Sequence, residues 1–208
     1  ALTAFLTMAV ESVKGIADPA LWTVPERNLA LCHYLASTLP DAPDFAVGAG
    51  RYSDYLDGGN DIKHDNKPLF IGELEGDTWQ IRHLTGEMVE AIERMEGESG
   101  FQGRLHWLIG AMACQLLRQD EVFEPVKDGA LDEWLLARMA VLAAFPERAF
   151  IQLSAMYQAG CQGLSHLFGY TFDEKGILIL AKEGAAADVP PARFPVCTAI
   201  SAFASAMA

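Results

Sequence analysis

A helix-start signal that recurs along the chain constrains the fold more than any other feature of the sequence. At 23–26, 77–80 and 99–102, a residue that can cap a helix stands three positions before a Glu or a Gln. In this spacing the cap oxygen accepts a hydrogen bond from a backbone N–H, and the later side chain accepts from the backbone N–H of the cap residue. Apolar residues then repeat every three or four positions, and this period predicts helices.

These patterns predict a mainly α fold, a single-domain bundle of six to seven helices over 1–208 with a long acidic irregular loop and one small β-hairpin. The loop is predicted at 41–76, where glycines, prolines and acids replace the helical period, and the hairpin at 170–180. A linker rich in Ala and Pro, 184–193, leads to a C-terminal helix. The predicted helices cover 2–16, 24–39, 78–95, 101–118, 131–145, 146–168 and the stretch from 195 onward.

The balance of charge disfavours two classes of partner. Fifteen Lys and Arg against 28 Asp and Glu give a formal net charge of −13, so the chain repels phosphate backbones and anionic lipid. We therefore expect neither a nucleic-acid partner nor a membrane partner. No apolar run reaches the roughly 18 residues that a membrane-spanning helix needs.

The cysteines indicate the redox environment. Cys32, Cys114, Cys161 and Cys197 are widely spaced, form no C-x-x-C pair and lie in apolar-periodic segments. This placement is typical of buried thiols that pack as small apolar side chains. We expect reduced cysteines and a cytoplasmic protein.

Aromatic residues interleaved with acids in the long loop favour a surface that binds another protein. Tyr52, Tyr55 and Phe70 would supply buried contact area, while the surrounding acids would steer a basic partner. On the sixth predicted helix, Gln162 and His166 belong to a polar seam suited to a ligand pocket. No nucleophile motif or Gly-rich phosphate loop occurs. We therefore expect an acidic helical binding, regulatory or accessory protein that uses protein–protein contacts and no cofactor, rather than an enzyme, and self-association stays open.

The alternative is a metal-dependent phosphohydrolase. The loop 54–65 concentrates carboxylate oxygens around a Gly pair, as Ca²⁺ requires, and His33, His64 and Asp65 follow the order found in HD-type phosphohydrolases. A helical carboxylate face after residue 82 could hold Mg²⁺ instead. The candidate metal ligands are Asp57, Asp61, His64, Asp65, His83, Glu87 and Glu90.

The segment 86–93, with glutamates at every third position, resembles a helix of the MazG-type all-α nucleotide pyrophosphatases. The resemblance covers about one helix, and it implies clustered carboxylates that bind Mg²⁺ against a nucleotide phosphate. The chain departs from that family at His83 and Leu84, where preceding acids are expected. It departs again at Arg104 and His106, where the next helix of the family carries an acid pair.

Overall fold

The computed structural model describes residues 1–57, 62, 65–119, 121, 130–186 and 188–207. Its contacts divide the chain into two compact units. The first comprises Ala1–His64, His166–Thr171 and Ile177–Ala208, and the second comprises Asp65–Ser165 and Phe172–Gly176. The prediction of a single domain stays a prediction.

Seven helices and seven strands lie in the described part of the chain. The helices are α1 Leu2–Ala9, α2 Val24–Thr38, α3 Gly86–Arg94, α4 Gly103–Gln115, α5 Ala130–Ala143, α6 Glu147–Leu164 and α7 Val196–Met207. The strands are β1 Ala46–Val47, β2 Gly50–Arg51, β3 Leu69–Leu74, β4 Asp77–Ile81, β5 Leu116–Arg118, β6 Tyr170–Asp173 and β7 Gly176–Ile179.

In the first unit, α2 begins with the predicted capping box. The Glu26 N–H donates to Thr23 Oγ1 at 3.4 Å, and the Thr23 N–H donates to Glu26 Oε2 at 2.8 Å. Helix α1, by contrast, ends earlier than predicted. Val13 and Ile16 exchange backbone hydrogen bonds of 3.0 and 2.9 Å, and the tight turn that they close interrupts the helical stripe.

Aromatic and branched side chains fill the core of the first unit. Trp22, Leu31 and Phe45 have no exposed surface. The Trp22 indole donates to the Ile16 carbonyl at 2.9 Å, so burial of this ring leaves its N–H satisfied. Residues of α1, of α2 and of the segment after α2 belong to this one core.

The second unit contains a three-stranded antiparallel sheet in the order β3-β4-β5. Helix α6 packs across β3 at Gly160, where an added Cβ would lie 2.7 Å from Ile71 Cγ2 and 2.9 Å from Ile81 Cγ2. At this position the backbone of α6 therefore lies close to β3 and β4. The absent side chain lets helix and sheet approach closely.

The predicted pure helical bundle is wrong, because the chain combines helices with three small sheets of two, three and two strands. The helix predicted at 78–95 is instead β4 followed by α3. Its first apolar residues, Trp79 and Ile81, are spaced by two, which is the period of a strand. The cap signal at 77–80 was therefore a false helix start.

The irregular loop predicted at 41–76 is also wrong in part. It contains β1, β2 and β3, and β3 turns into β4 through Glu75 and Gly76. Both turn residues have positive φ, 54° and 89°, which suits a two-residue hairpin turn. At 101–118 the helix ends at Gln115 and the last three residues form β5, whereas the hairpin of β6 and β7 lies where it was predicted.

Candidate functional site

Strand β3 lies at an edge of the sheet. In the part of the chain that the structure describes, backbone hydrogen bonds join β3 to β4 alone. A strand edge of this kind presents backbone N–H and C=O groups that a further extended segment can pair with. A register shift between Phe70 and Gly72 interrupts the ladder, which restricts the segments that fit.

Phe70 lies on this edge strand and is 65% exposed. Its neighbours contact α6: Leu69 lies beside Gly163 and Ile71 beside Gly160. Phe70 lies between these two residues, and most of its side chain is exposed rather than packed on α6. Among the described residues, it is the one aromatic in the group of exposed large apolar residues.

The two tyrosines predicted with Phe70 occupy the core of the first unit instead. Tyr55 is fully buried, its hydroxyl donates to the Pro190 carbonyl at 2.9 Å, and burial raises its pKa. Tyr52 is half-buried and stacks on Phe45 with ring centroids 5.2 Å apart. Burial, together with the nearby Cys32 thiol, raises the pKa of Tyr52. Of the three predicted aromatics, Phe70 has the most exposed side chain.

The two residues predicted for the polar seam on α6 differ in burial and belong to different units. Gln162 is exposed and belongs to the second unit, whereas His166 is buried and belongs to the first. Another histidine, His106, has both ring nitrogens in hydrogen bonds, to Ser99 Oγ and to the Ile92 carbonyl, each at 2.7 Å. It is a satisfied core histidine, as expected for an apolar helix.

The candidate metal ligands are dispersed in the described residues. Asp57 belongs to the first unit, and Asp65 belongs to the second, where it forms an ion pair with Lys67 at 2.7 Å. Asp61 and His64 lie outside the described residues.

The other candidate metal ligands lie just before α3 and on it. His83 is buried before α3, and Glu87 and Glu90 are half-buried on that helix. Among the residues that the structure describes, no three His, Cys, Asp or Glu side chains are grouped so that they could hold an ion. The metal-dependent alternative stays a prediction.

Two arginines close the C-terminal end of α4. Arg82 Nε donates to the Cys114 carbonyl at 2.7 Å, while Arg138 donates to the carbonyls of Ala113 and Leu116 at 2.9 and 2.6 Å. These carbonyls carry the negative end of the helix dipole, so cations stabilise them. Burial lowers the pKa of Arg82 to about 10, and the guanidinium therefore stays charged at neutral pH.

A cavity of about 610 Å³ lies beside β4 and β5 in the second unit. The residues that matter for its chemistry are Asp77, Trp79, Arg118, Arg138, Val141 and Phe145. Arg118 Nε lies 3.1 Å from Asp77 Oδ2, and its guanidinium carbon lies 5.5 Å from the centre of the Trp79 ring. Arg138 forms an ion pair with Glu121 at the same wall.

Sequence reasoning missed both the position of β3 at an edge of the described sheet and this cavity. The alternation of apolar residues from Trp79 to Ile81, after a two-residue turn ending in Gly76, was the available signal for the hairpin. The cavity had no such signal, because its residues come from strands and a helix that are distant in sequence.

The chain matches no family model, no curated protein and no solved structure. Of the helices in the described part of the chain, none is long and apolar enough to cross a bilayer. The function must therefore be argued from the surfaces of the chain.

Proposed function

We propose that this protein is a binding or regulatory protein that captures an extended, basic segment of a partner protein along β3. The observation that carries the proposal is Phe70, which is 65% exposed on a strand edge. A partner strand would gain backbone hydrogen bonds along the edge and would bury the phenyl ring. Burial of a phenylalanine side chain contributes roughly 1.5–3 kcal/mol.

The charge around β3 supports a basic partner. Between residues 65 and 77 the chain carries four acids, Asp65, Glu73, Glu75 and Asp77, and Lys67 is the single cation. Lys67 is itself engaged by Asp65. Acids beside an apolar anchor speed the approach of a cationic segment and disfavour an acidic one.

The bulge at the Phe70 and Gly72 pairs supports selectivity over indiscriminate strand pairing. An uninterrupted edge would template any extended chain, including a second copy of this protein. The shifted register accepts a partner only where its own hydrogen-bonding groups match the interruption. The net charge of −13 further opposes pairing between two copies.

The proposal is tested by selecting phage-displayed, unstructured heptapeptides on the immobilised full chain. We expect the selected peptides to alternate basic and apolar residues, and their addition to shift the backbone amide resonances of Leu69–Leu74. Phe70→Ser should weaken binding by at least about tenfold, because aromatic anchors contribute a large share of interface energy.

Ile151→Ser is the matched control, since Ile151 is 60% exposed on α6 and lies on the opposite side of that helix from Gly160, which contacts β3. This variant should bind the selected peptides as the original chain does. If Phe70→Ser and Ile151→Ser bind equally well, or if acidic peptides are selected, the proposed binding surface is wrong.

A further inference from the structure

We propose that the cavity beside β4 and β5 is a second site, which binds a small monocarboxylate with a flat apolar body. Its volume of about 610 Å³ falls within the range of small-ligand pockets. Its lining combines an arginine, a cation–aromatic pair and an apolar wall. Of its lining residues, Asp77 alone is also one of the acids near β3 that support the proposed binding there.

Arg118 is the group that would hold the carboxylate. Its Nε faces Asp77, and its guanidinium lies over the Trp79 ring, so the side chain is fixed before any ligand arrives. Within the part of the chain that the structure describes, the ion pair with Asp77 is made through Nε, and no oxygen accepts a hydrogen bond from the two terminal nitrogens. Two parallel N–H donors on a planar guanidinium match the two oxygens of a carboxylate. The side chain is 48% exposed, which leaves it accessible.

The charges in the cavity favour a monoanion. Arg138 faces the same cavity, but its donors are committed to Glu121 and to the carbonyls at the end of α4. Arg118 and Arg138 are balanced by Asp77 and Glu121, so the lining is neutral overall. The two terminal nitrogens of Arg118 can donate hydrogen bonds to one carboxylate group. A phosphate monoester would place a second charge near these two acids, in a chain that already carries −13.

The opposite wall is suited to the apolar part of such a ligand. Val141 on α5 is 53% exposed, and Phe145 follows the end of that helix. The Phe145 ring meets Trp79 edge-on, with ring centroids 6.3 Å apart. A flat ligand would gain contacts with the exposed Val141 side chain and with the aromatic ring beside it, and its binding would cost these side chains little.

Titration of the full chain with benzoate, followed by NMR of the tryptophan indole N–H groups, tests the proposal. We expect saturable shifts of the Trp79 resonance. Benzamide, which has the same shape and no charge, should bind roughly tenfold to a hundredfold more weakly, as should phenyl phosphate. Arg118→Ala should lose affinity for benzoate by a similar factor, and Arg118→Lys should lose part of it, because an ammonium cannot form the planar pair.

Two further variants keep the test decisive. Val141→Asp adds a negative charge at an exposed position on the wall, so the chain should fold normally and lose benzoate affinity. Arg148→Ala removes an exposed arginine of α6 that does not line the cavity, and it should bind benzoate unchanged. Absence of shifts at millimolar benzoate, equal binding of benzamide, or full affinity in Val141→Asp would each overturn the proposal.

Discussion

Cys114 illustrates how burial changes the chemistry of a single residue. Burial raises the pKa of Cys114 to about 12 and that of Cys161 to about 11, because a thiolate loses its hydration inside the protein. The thiolate is the reactive form, so neither thiol is poised as a nucleophile at neutral pH. The expected burial is confirmed for Cys32 and Cys114 and is wrong for Cys197, which is exposed.

The raised thiol pKa values predict a loss of stability at high pH. In the unfolded chain a thiol titrates near its ordinary value of 9.0, whereas Cys114 in the folded chain holds its proton until about pH 12. Between these values the unfolded state binds fewer protons, so the free energy of unfolding falls as pH rises. Each fully titrating thiol contributes up to about 1.4 kcal/mol per pH unit.

Urea unfolding at several pH values between 8 and 10.5 measures this slope. Cys114→Ala should make the slope shallower, whatever its effect on stability at neutral pH. Identical slopes in the original chain and in Cys114→Ala would contradict the assigned pKa shift.

The residue types alone identify the aromatic binding candidates, but they do not indicate which of them is buried. Tyr52, Tyr55 and Phe70 have similar local surroundings of acids and glycines. Tyr55 becomes core because its hydroxyl reaches Pro190, which is 135 residues away in sequence. A contact of this separation leaves no local pattern, so the exposed member of the three could not be chosen from the sequence.

At the scale of elements, Gly160 and Gly163 on α6 form a matched pair for testing how helix and sheet pack. A Cβ at residue 160 would lie 2.7 and 2.9 Å from methyl groups of Ile71 and Ile81, whereas a Cβ at residue 163 would lie 3.5 Å from Leu69. The first pair of distances forces neighbours to move, and the second is an ordinary contact. The two alanine variants should therefore change stability in opposite directions.

We expect Gly160→Ala to lower the free energy of unfolding, since overpacking costs about 1–3 kcal/mol and outweighs the helix propensity gained. Gly163→Ala should raise it by up to about 1 kcal/mol, because alanine is the better helix former and finds room. Urea unfolding of the two variants at pH 7 provides the measurement. A gain of stability in both would show that α6 is not seated against β3 as described.

Helices with complete local signals were predictable, and elements defined by their neighbours were not. Helix α2 has a capping box, an early proline and an apolar stripe, so every local preference agrees with its structure. Strand β5 has only Leu116, Leu117 and Arg118, and it exists because its backbone pairs with β4. At its start the apolar period of α4 simply continues, which is why a longer helix was predicted there.

At the scale of the whole molecule, the dominant electrostatic property is the formal net charge of −13. Each acid by itself contributes little to the stability of the folded chain, since exposed ion pairs and exposed charges affect stability weakly. Together, however, the acids repel one another within the folded chain. This repulsion raises the free energy of the folded state relative to the expanded state. Salt screens this repulsion, with a Debye length of about 10 Å at 0.1 M.

We therefore predict that NaCl stabilises the folded chain between 0.02 and about 0.3 M, where screening changes most. The double variant Glu98→Lys and Glu183→Lys reverses two exposed acids outside helices and strands and raises the net charge by four, from −13 to −9. It should have a higher melting temperature than the original chain at 0.02 M NaCl. It should also gain less stability from added salt, because less repulsion is left to screen.

The neutral double variant Glu98→Gln and Glu183→Gln should have a melting temperature and a salt dependence between those of the other two chains, which separates the effect of net charge from any loss of local contacts. Equal salt dependence in all three chains would mean that the acids act only locally, and the steering of a basic partner by the whole molecule would lose its physical basis.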